Sequence, residues 1–118
     1  MKNKNNSNKA ILYKLRPSSI YFTHSKIRKQ FTGCGKTLQT TLSELINGNT
    51  HISKIPNIKV YYDSKGNYYS MNNRRLWVFK EMEAMNLLET IDVYLEPVPK
   101  NSNIEKNIYS MTAKPVLN

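Results

Sequence analysis

The sequence predicts a single α+β domain with a small mixed sheet, two main helices and extended termini. Three observations predict this fold class. A chain of 118 residues builds one core rather than two, a leucine-rich stretch has its apolar residues at helical spacing, and the second half alternates strand-like segments with a further helix. The packed domain is predicted over residues 18–98, between an N-terminal arm of residues 1–17 and a C-terminal extension of residues 99–118.

The N-terminal arm is rich in Asn and Lys and ends at Pro17. This composition predicts a mostly disordered basic segment, with a short apolar patch at residues 11–13 that is available for docking. Residues 20–22 are a strand candidate, and residues 25–28 are expected to turn into an irregular or helical segment.

The clearest pattern in the first half is an apolar helix face that follows Thr37. Its residues recur at positions i, i+4, i+7 and i+8, which lie on one side of a helix. Asn47 and Gly48 then supply a left-handed stop. The residues of this apolar face are Leu38, Leu42, Leu45 and Ile46.

The second half predicts a hairpin and a later strand. Residues 58–62 are rich in β-formers, residues 63–66 form a turn that ends in Gly, and residues 67–71 return as the second strand. Residues 91–95 alternate apolar and polar side chains as a half-buried strand does, and two prolines end that strand. The C-terminal extension has little periodicity and is expected to become ordered only against a partner.

A second helix is predicted between the hairpin and the last strand, over residues 74–86, with Asn72 and Asn73 as its caps. Trp77 is interpreted as a core or interface residue. Leu76, Phe79 and Met85 are expected to face the core, and Lys80, Glu81 and Glu83 are expected to face water.

The net charge of +10 is unevenly distributed along the chain. Residues 1–36 hold nine Lys or Arg and no acid, whereas residues 81–118 hold three lysines and six acids. The basic half suits a phosphate backbone and predicts DNA as a partner. An AT-rich genome also raises the Lys and Asn content without a functional cause, so that alternative stays open.

Cysteine content and hydropathy indicate a soluble intracellular protein. Cys34 is the only cysteine, which excludes an intramolecular disulfide framework. No run of about 18 apolar residues predicts a membrane span, and the first ten residues lack the apolar middle of a secretory signal. No membrane is therefore expected among the partners.

The segment Gly33-Cys34-Gly35-Lys36-Thr37 ends as a Walker A loop ends. The position of the first Walker glycine is Gln30, however, and residues 27–30 are too charged for a central parallel strand. The preferred interpretation is a flexible turn in which Thr37 caps the following helix. The glycines, Lys36 and the helix start can still hold a phosphate of DNA or of a nucleotide.

The passage VYYDSKGNYYSMNNRRLWVFKEMEAMNLLETIDVYLEP is similar in layout to the ParB/sulfiredoxin-like superfamily. In that family a strand, a glycine turn and a second strand deliver a Gly-Glu-Arg-Arg or Gly-His-Arg signature onto the start of a helix, and another strand follows. Upstream, YFTHSKIR resembles the opening strand of the family, and the leucine helix before IPNIKVYY resembles its first helix. The residues that match the signature are Asn72, Asn73, Arg74, Arg75 and Leu76.

Departures from the family pattern argue against catalysis. Asn72 replaces the glycine that lets the backbone approach a triphosphate. Position 73 is Asn, whereas the sulfiredoxin branch needs a cysteine there, and Cys34 lies in a different loop. His24, His51 and Asp63 have no ligand-like spacing. We therefore expect no catalytic residue, no metal and no cofactor, and we do not expect an enzyme.

Two functional hypotheses follow. The first is a non-catalytic DNA-binding or assembly module, in which phosphates are contacted by Lys26, Arg28, Lys29, Lys36, Arg74 and Arg75. The alternative is a nucleotide-binding enzyme or switch of the superfamily, in which ATP or CTP is held by Gly35, Lys36, Thr37, Asn72, Asn73, Arg74 and Arg75.

The arginine pair is a signal in its own right, because arginines in the first turn of a helix oppose the helix dipole and suggest a nearby anion. Helical neighbours point about 100° apart. At most one of the two is therefore expected to face a groove, and the other is expected to pair with Asp63, Asp92 or Glu96. The tyrosines at 61, 62, 68 and 69 lie in adjacent strands, so one of each pair is expected to point outward, where it can stack on bases or pack on a protein.

Family, size and composition together resemble the small accessory subunits of ciliate DNA adenine methyltransferase complexes. This resemblance implies methyltransferase-type protein subunits as partners in a hetero-complex, a role in DNA 6-methyladenine deposition and a nuclear location. The apolar residues at 11–13 and 104–117 are then the expected docking segments.

Overall fold

The computed structural model describes residues 11–23, 26–28, 36–100, 111 and 114–116. Short 3₁₀ turns lie at Pro17–Ser19 and Ile52–Lys54. The predicted α+β class, with a mixed sheet and two helices, is confirmed. In chain order the elements are β1 (Leu12–Leu15), β2 (Ile20–Tyr21), β3 (Lys26–Arg28), α1 (Leu38–Ile46), β4 (Ile58–Tyr62), β5 (Tyr68–Ser70), α2 (Asn73–Ala84), β6 (Ile91–Pro97) and β7 (Lys114–Val116).

Five strands form one mixed sheet in the order β1-β6-β4-β5-β2. Strands β4 and β5 are the predicted antiparallel hairpin. Strand β6 runs parallel to β4 because α2 provides the crossover between them. Strand β1 is antiparallel to β6, and β2 is parallel to β5. Strands β3 and β7 form a separate parallel pair.

Both helices pack on the same face of the five-stranded sheet. Ile58, Val60 and Val93 are fully buried on that face, and the register places Ile58 beside Val93. The opposite face carries the alternate residues of each strand. The core is completed by Ile20, Phe22, Leu38, Leu42, Leu45, Leu76, Trp77, Val78, Phe79, Met82 and Ile91.

Helix α1 begins and ends where the sequence predicts. Thr37 is its N-cap, and the Thr37 hydroxyl accepts a hydrogen bond from the Thr40 amide at 3.0 Å. Gly48 ends the helix with a positive φ of 79°. The leucines of the predicted face are buried, but Ile46 is 44% exposed. The prediction is wrong for Ile46, which lies at the margin of the buried stripe.

Helix α2 ends two residues before the predicted end. Leu76, Trp77 and Phe79 are buried as predicted, but Met85 and Lys80 differ from the prediction. Asn86 adopts a φ of 61° just after the helix end, so Met85 is 45% exposed rather than in the core. Lys80 is half-buried rather than in water: its Nζ lies 4.9 Å from the centre of the Phe22 ring and donates to the Met111 carbonyl. Burial lowers the pKa of Lys80 to about 8, although the Glu83 carboxylate opposes this shift.

The N-terminal boundary of the domain differs from the predicted one. Residues 12–15, placed by the sequence in a disordered arm, form β1 and pair with β6. The segment after β1 is tied to α2, since the Ser18 amide and hydroxyl and the Arg16 guanidinium all donate to the Glu83 carboxylate. The prediction that Glu83 faces water is therefore wrong. Residues 1–10 lie outside the described part of the chain.

Strands β3 and β7 also correct the sequence-based expectations. Residues 26–28 were expected to be irregular or helical, and residues 114–116 were expected to order only against a partner. Instead the two segments pair with each other in parallel, with Ile27 opposite Pro115. The pairing joins segments far apart in the chain, and neither segment alternates apolar and polar residues for long enough to predict a strand.

Candidate nucleic-acid interface

The residues of the arginine signature are held by hydrogen bonds to neighbouring strands. The Asn72 Oδ1 atom accepts from the Lys59 amide at 2.8 Å. The Asn73 side chain accepts from the Thr23 amide and donates to the Thr23 hydroxyl, both at 2.9 Å. Asn72 is the N-cap residue, but its side chain makes no capping hydrogen bond. The two asparagines thus link β4 and the segment after β2 to the start of α2. The predicted cap position is confirmed for Asn72, whereas Asn73 is the first residue of the helix itself.

Arg75 is committed to the backbone of the loop before β4. Its Nη1 atom donates to the carbonyl oxygens of Pro56 and Asn57, each at 3.0 Å. Burial lowers the pKa of Arg75, and the charge of the adjacent Arg74 lowers it further. These carbonyls help to offset the unfavourable position of Arg75 in the first turn.

The acids expected to pair with an arginine have other partners. Asp92 accepts from Lys14 at 3.0 Å, and Glu96 lies 3.4 Å from the Lys59 Nζ. Asp63 makes no ion pair within the described part of the chain and instead accepts hydrogen bonds from its own hairpin. Within the described part of the chain neither Arg74 nor Arg75 forms an ion pair with these acids, so the predicted pairing of one of the two arginines with an acid is wrong.

The end of the Walker-like segment forms a helix start. The Lys36 Nζ atom lies 2.8 Å from the Glu44 carboxylate, and the Thr37 hydroxyl caps the start of α1. The prediction that Thr37 caps the helix is confirmed. Gly35 lies outside the described residues, so its predicted phosphate contact stays a prediction.

The remaining predicted phosphate ligands lie in or next to β3. Lys26 and Arg28 belong to that strand, and Lys29 lies outside the described residues. Strand β3 is in contact with α2, the helix that begins with the arginine pair. The β3 residues and the arginine pair therefore lie on two elements that contact each other.

Tyrosines occupy both faces of the sheet, and the sequence prediction of alternate directions holds for both pairs. Tyr61 and Tyr69 are opposite each other on the face without helices, and Tyr62 and Tyr68 are opposite each other on the helix face. Exposure does not follow the face, however. Tyr69 is only 7% exposed, whereas Tyr62 is 39% exposed.

The burial of Tyr69 has a local cause. Its ring stacks on that of Tyr21 with centroids 5.7 Å apart, and its hydroxyl donates to Asp63 Oδ2 at 2.7 Å. A ring held in this way is a structural element of the sheet rather than a platform for bases. Tyr94, which is 36% exposed on the same face, was not singled out from the sequence, although its alternation with buried Val93 marks it as outward-facing.

Within the described ranges, no group of three or more His, Cys, Asp or Glu side chains is placed to hold a metal ion. A search of the described helices finds none with the length and apolar character that a membrane crossing requires. No protein-family model, curated protein or solved structure is significantly similar to this chain. The resemblance to the ParB/sulfiredoxin-like superfamily therefore depends on the signature residues and the order of elements.

Proposed function

We propose that this chain is a non-catalytic DNA-binding and assembly module of the ParB/sulfiredoxin-like type, which helps to position a partner enzyme on DNA. The partner class that we propose is a methyltransferase-type subunit, in a nuclear complex that methylates adenine in DNA. The observation that carries the DNA-binding proposal is the location of the positive charge.

The net positive charge is unevenly distributed between the described ranges 11–23 and 36–100 and the rest of the chain. Residues 11–23 and 36–100 hold ten basic and seven acidic residues, whereas the rest of the chain holds eight basic and one acidic residue. Within residues 11–23 and 36–100, five of the seven acids form ion pairs with four of the basic residues. The larger part of the net charge thus lies in residues 1–10, 24–35 and 101–118, where it favours contact with a phosphate backbone.

The hydrogen bonds of the signature residues support DNA binding over the nucleotide hypothesis. A triphosphate site would require donors that are free to converge on phosphate oxygens. Asn73 is bound to Thr23, Arg75 to two carbonyls and Lys36 to Glu44. We therefore assign the main phosphate contacts to Lys26, Arg28 and Lys29.

The order of elements supports the family part of the proposal. A strand, a helix, a hairpin, a second helix and a parallel strand follow one another, as the resemblance implies. The apolar patch proposed for docking is accessible, with Ile11 63%, Leu12 45% and Tyr13 47% exposed. Leu12 and Tyr13 point to opposite faces of the sheet, so these exposed apolar residues favour a protein partner that packs along the β1 edge.

Titration of fluorescent duplex DNA over a salt series tests this function, with ATP and CTP as competitors. The triple variant Lys26→Gln, Arg28→Gln, Lys29→Gln is expected to bind all sequences more weakly. Its salt dependence should flatten by about 0.9 units of log K per log salt for each lost contact.

The matched control removes the same charge from the surface of residues 36–100, by changing the exposed Lys54, Lys65 and Lys100 to Gln. We expect this control to keep most of the salt dependence. Equal effects of the two triple variants would contradict the assignment of the contacts to the β3 segment. Competition by ATP or CTP would favour the nucleotide hypothesis instead.

A further inference from the structure

The five-stranded sheet has one edge that is open to strand pairing. At one end of the strand order lies β1, which among the described strands pairs with β6 alone. At the other end lies β2, which is two residues long, with Ile20 fully buried and Tyr21 half-buried. A short, covered edge resists pairing, whereas a longer exposed edge presents amides and carbonyls to another chain. Strand addition is therefore favoured at β1.

Strand β1 lacks most of the features that protect natural sheet edges. The strand contains no proline, and the first proline of the chain, Pro17, follows it. Leu12 and Tyr13 are exposed on opposite faces of the sheet, and Ile11 just before them is exposed as well. Apolar side chains thus flank the open edge on both faces, where an added strand would cover them.

The charges at this edge are neutralised within the same copy of the chain. Lys14, the only charged residue of β1, lies 3.0 Å from the Asp92 carboxylate of β6. Arg16, which follows the strand, lies 3.4 and 2.9 Å from the carboxylates of Glu83 and Glu89. A phosphate backbone is therefore not favoured here, and two such edges can meet without like-charge repulsion.

We propose that a second copy of this chain adds its own β1 to this edge, as an antiparallel pair with Tyr13 on the two-fold axis. A closed two-fold dimer needs the same surface on both copies, and an antiparallel pair of identical strands meets that need. Side chains that lie opposite each other must share a face of the sheet, so the axis has to pass through a residue.

The sequence of β1 selects Tyr13 for the axis. An axis at Lys14 would place two lysines opposite each other, and an axis at Leu12 would leave Lys14 and Leu15 opposite residues that precede the strand. An axis at Tyr13 brings the two tyrosine rings together and sets Leu12 beside the aliphatic stem of Lys14. Ile11 then lies opposite Leu15.

The dimer joins the two sheets into one, with five strands from each copy. Strand β3, to which the DNA contacts are assigned, is not part of this sheet, so the dimer and the DNA contacts can each fail alone. The inference shares with the proposed function only the placement of a protein at the β1 edge. A methyltransferase-type subunit at that edge would compete with the second copy.

Sedimentation equilibrium of the full chain without DNA tests the dimer. Residues 11–15 form a much smaller contact than the roughly 20–30 residues a side of a standard interface, so we expect a weak dimer with a Kd on the order of 10–100 μM. Tyr13→Lys puts two like charges on the axis and should raise the Kd at least about tenfold. Tyr13→Phe keeps the ring pair and should retain the dimer.

Met85→Lys is the matched control, because it adds the same charge at an equally exposed apolar residue just after α2. It should leave the Kd unchanged. The urea unfolding midpoint of Tyr13→Lys is expected to equal that of the natural chain, which would show that the loss of the dimer is not a loss of the fold.

Disulfide formation tests the register. Cys34→Ser removes the only natural cysteine, and in that background Tyr13→Cys is expected to link two copies on mild oxidation, because Cα atoms about 4.5–5.5 Å apart suit a disulfide. Tyr94→Cys is the control. Tyr94 is exposed but lies on β6, so three strand spacings of about 4.8 Å would separate the two cysteines and prevent a disulfide.

Three results would overturn the proposal. A chain that stays monomeric up to about 1 mM has no such dimer. A dimer that Tyr13→Lys leaves intact, or that Tyr94→Cys links as readily as Tyr13→Cys, has its interface elsewhere. A monomer that binds a methyltransferase-type subunit, and loses it on Tyr13→Lys, would assign the edge to that subunit and leave the proposed function standing.

Discussion

Asp63 shows how one side chain can organise a hairpin. The turn that it starts includes Gly66, whose φ of 87° only glycine adopts readily. Burial of Asp63 raises the pKa of its carboxyl group, but hydrogen bonds from Tyr69, Asn67 and Lys65 outweigh this effect and lower the pKa from 3.8 to about 2. The carboxylate form is thus the one that the fold prefers.

This shift predicts how the stability of the domain depends on pH. Because the folded-state pKa is depressed, the contribution of Asp63 to stability is fully present above pH 3.8 and is lost as the pH falls toward about 2. Asp63→Asn should therefore be less stable than the natural protein at neutral pH, and the difference should shrink toward pH 2. Urea unfolding of both proteins between about pH 6 and about pH 2 measures this.

The control for this measurement is Asp92→Asn, because the carboxylate of Asp92 pairs with an exposed lysine. Its effect on the free energy of unfolding should stay within about 1 kcal/mol at any pH. A constant destabilisation by Asp63→Asn down to the lowest pH would contradict the assigned role of the ionised carboxylate.

At the scale of elements, local patterns predicted those parts of the fold that local interactions specify. Helix α1 has a cap, an apolar face and a glycine stop within a dozen residues, and the β4–β5 hairpin has a turn between two strand-like runs. Strand β1 pairs with a segment almost eighty positions away along the chain, and β3 depends on β7 in the same way. No local pattern specifies such partners.

The candidate site was less predictable than the fold, for a related reason. Arg75 and Asn73 have the residue types of a phosphate site, but Arg75 donates to the carbonyls of Pro56 and Asn57, and Asn73 donates to the Thr23 hydroxyl. Spacing along the chain does not reveal which donors are already used inside the fold.

Thr37 allows the cap and the phosphate roles of the Walker-like segment to be separated. Thr37→Ala removes the acceptor for the Thr40 amide and should destabilise the domain by about 1 kcal/mol. Thr37→Ser keeps the hydroxyl and should be close to neutral. DNA affinity is expected to stay unchanged in both variants. Denaturant unfolding and DNA titration of each variant provide the check.

For Thr37→Ala, the unfolding midpoint and the DNA affinity together distinguish the capping role from a phosphate contact. If Thr37→Ala weakened DNA binding about tenfold while the unfolding midpoint stayed the same, the hydroxyl would belong to a phosphate site. A loss of stability alone agrees with the cap seen at the start of α1.

At the scale of the whole molecule, residues 11–23 and 36–100 hold ten basic and seven acidic residues, whereas the rest of the chain holds eight basic and one acidic residue. Within these two ranges, several lysines and arginines form ion pairs that hold elements together. Lys14 joins β1 to β6, and Arg16 joins the following turn to α2. Most of the net charge available for long-range attraction lies in residues 1–10, 24–35 and 101–118. Affinity for DNA should then depend on these segments more than on the sheet and helices.

Deletion of residues 1–10 tests this division of roles, since it removes Lys2, Lys4 and Lys9 and leaves β1, which begins at Leu12, intact. The shortened chain should unfold at the same denaturant concentration as the full chain. Its DNA affinity should fall, and the slope of log K against log salt should decrease by up to about 3, because each phosphate contact contributes about 0.9. The Lys54, Lys65 and Lys100 triple variant removes an equal charge from the surface of residues 36–100 and should change the slope less. If the deletion left the slope unchanged while this triple variant reduced it, the DNA-binding surface would lie on the folded domain itself, and residues 1–10 would have no part in binding.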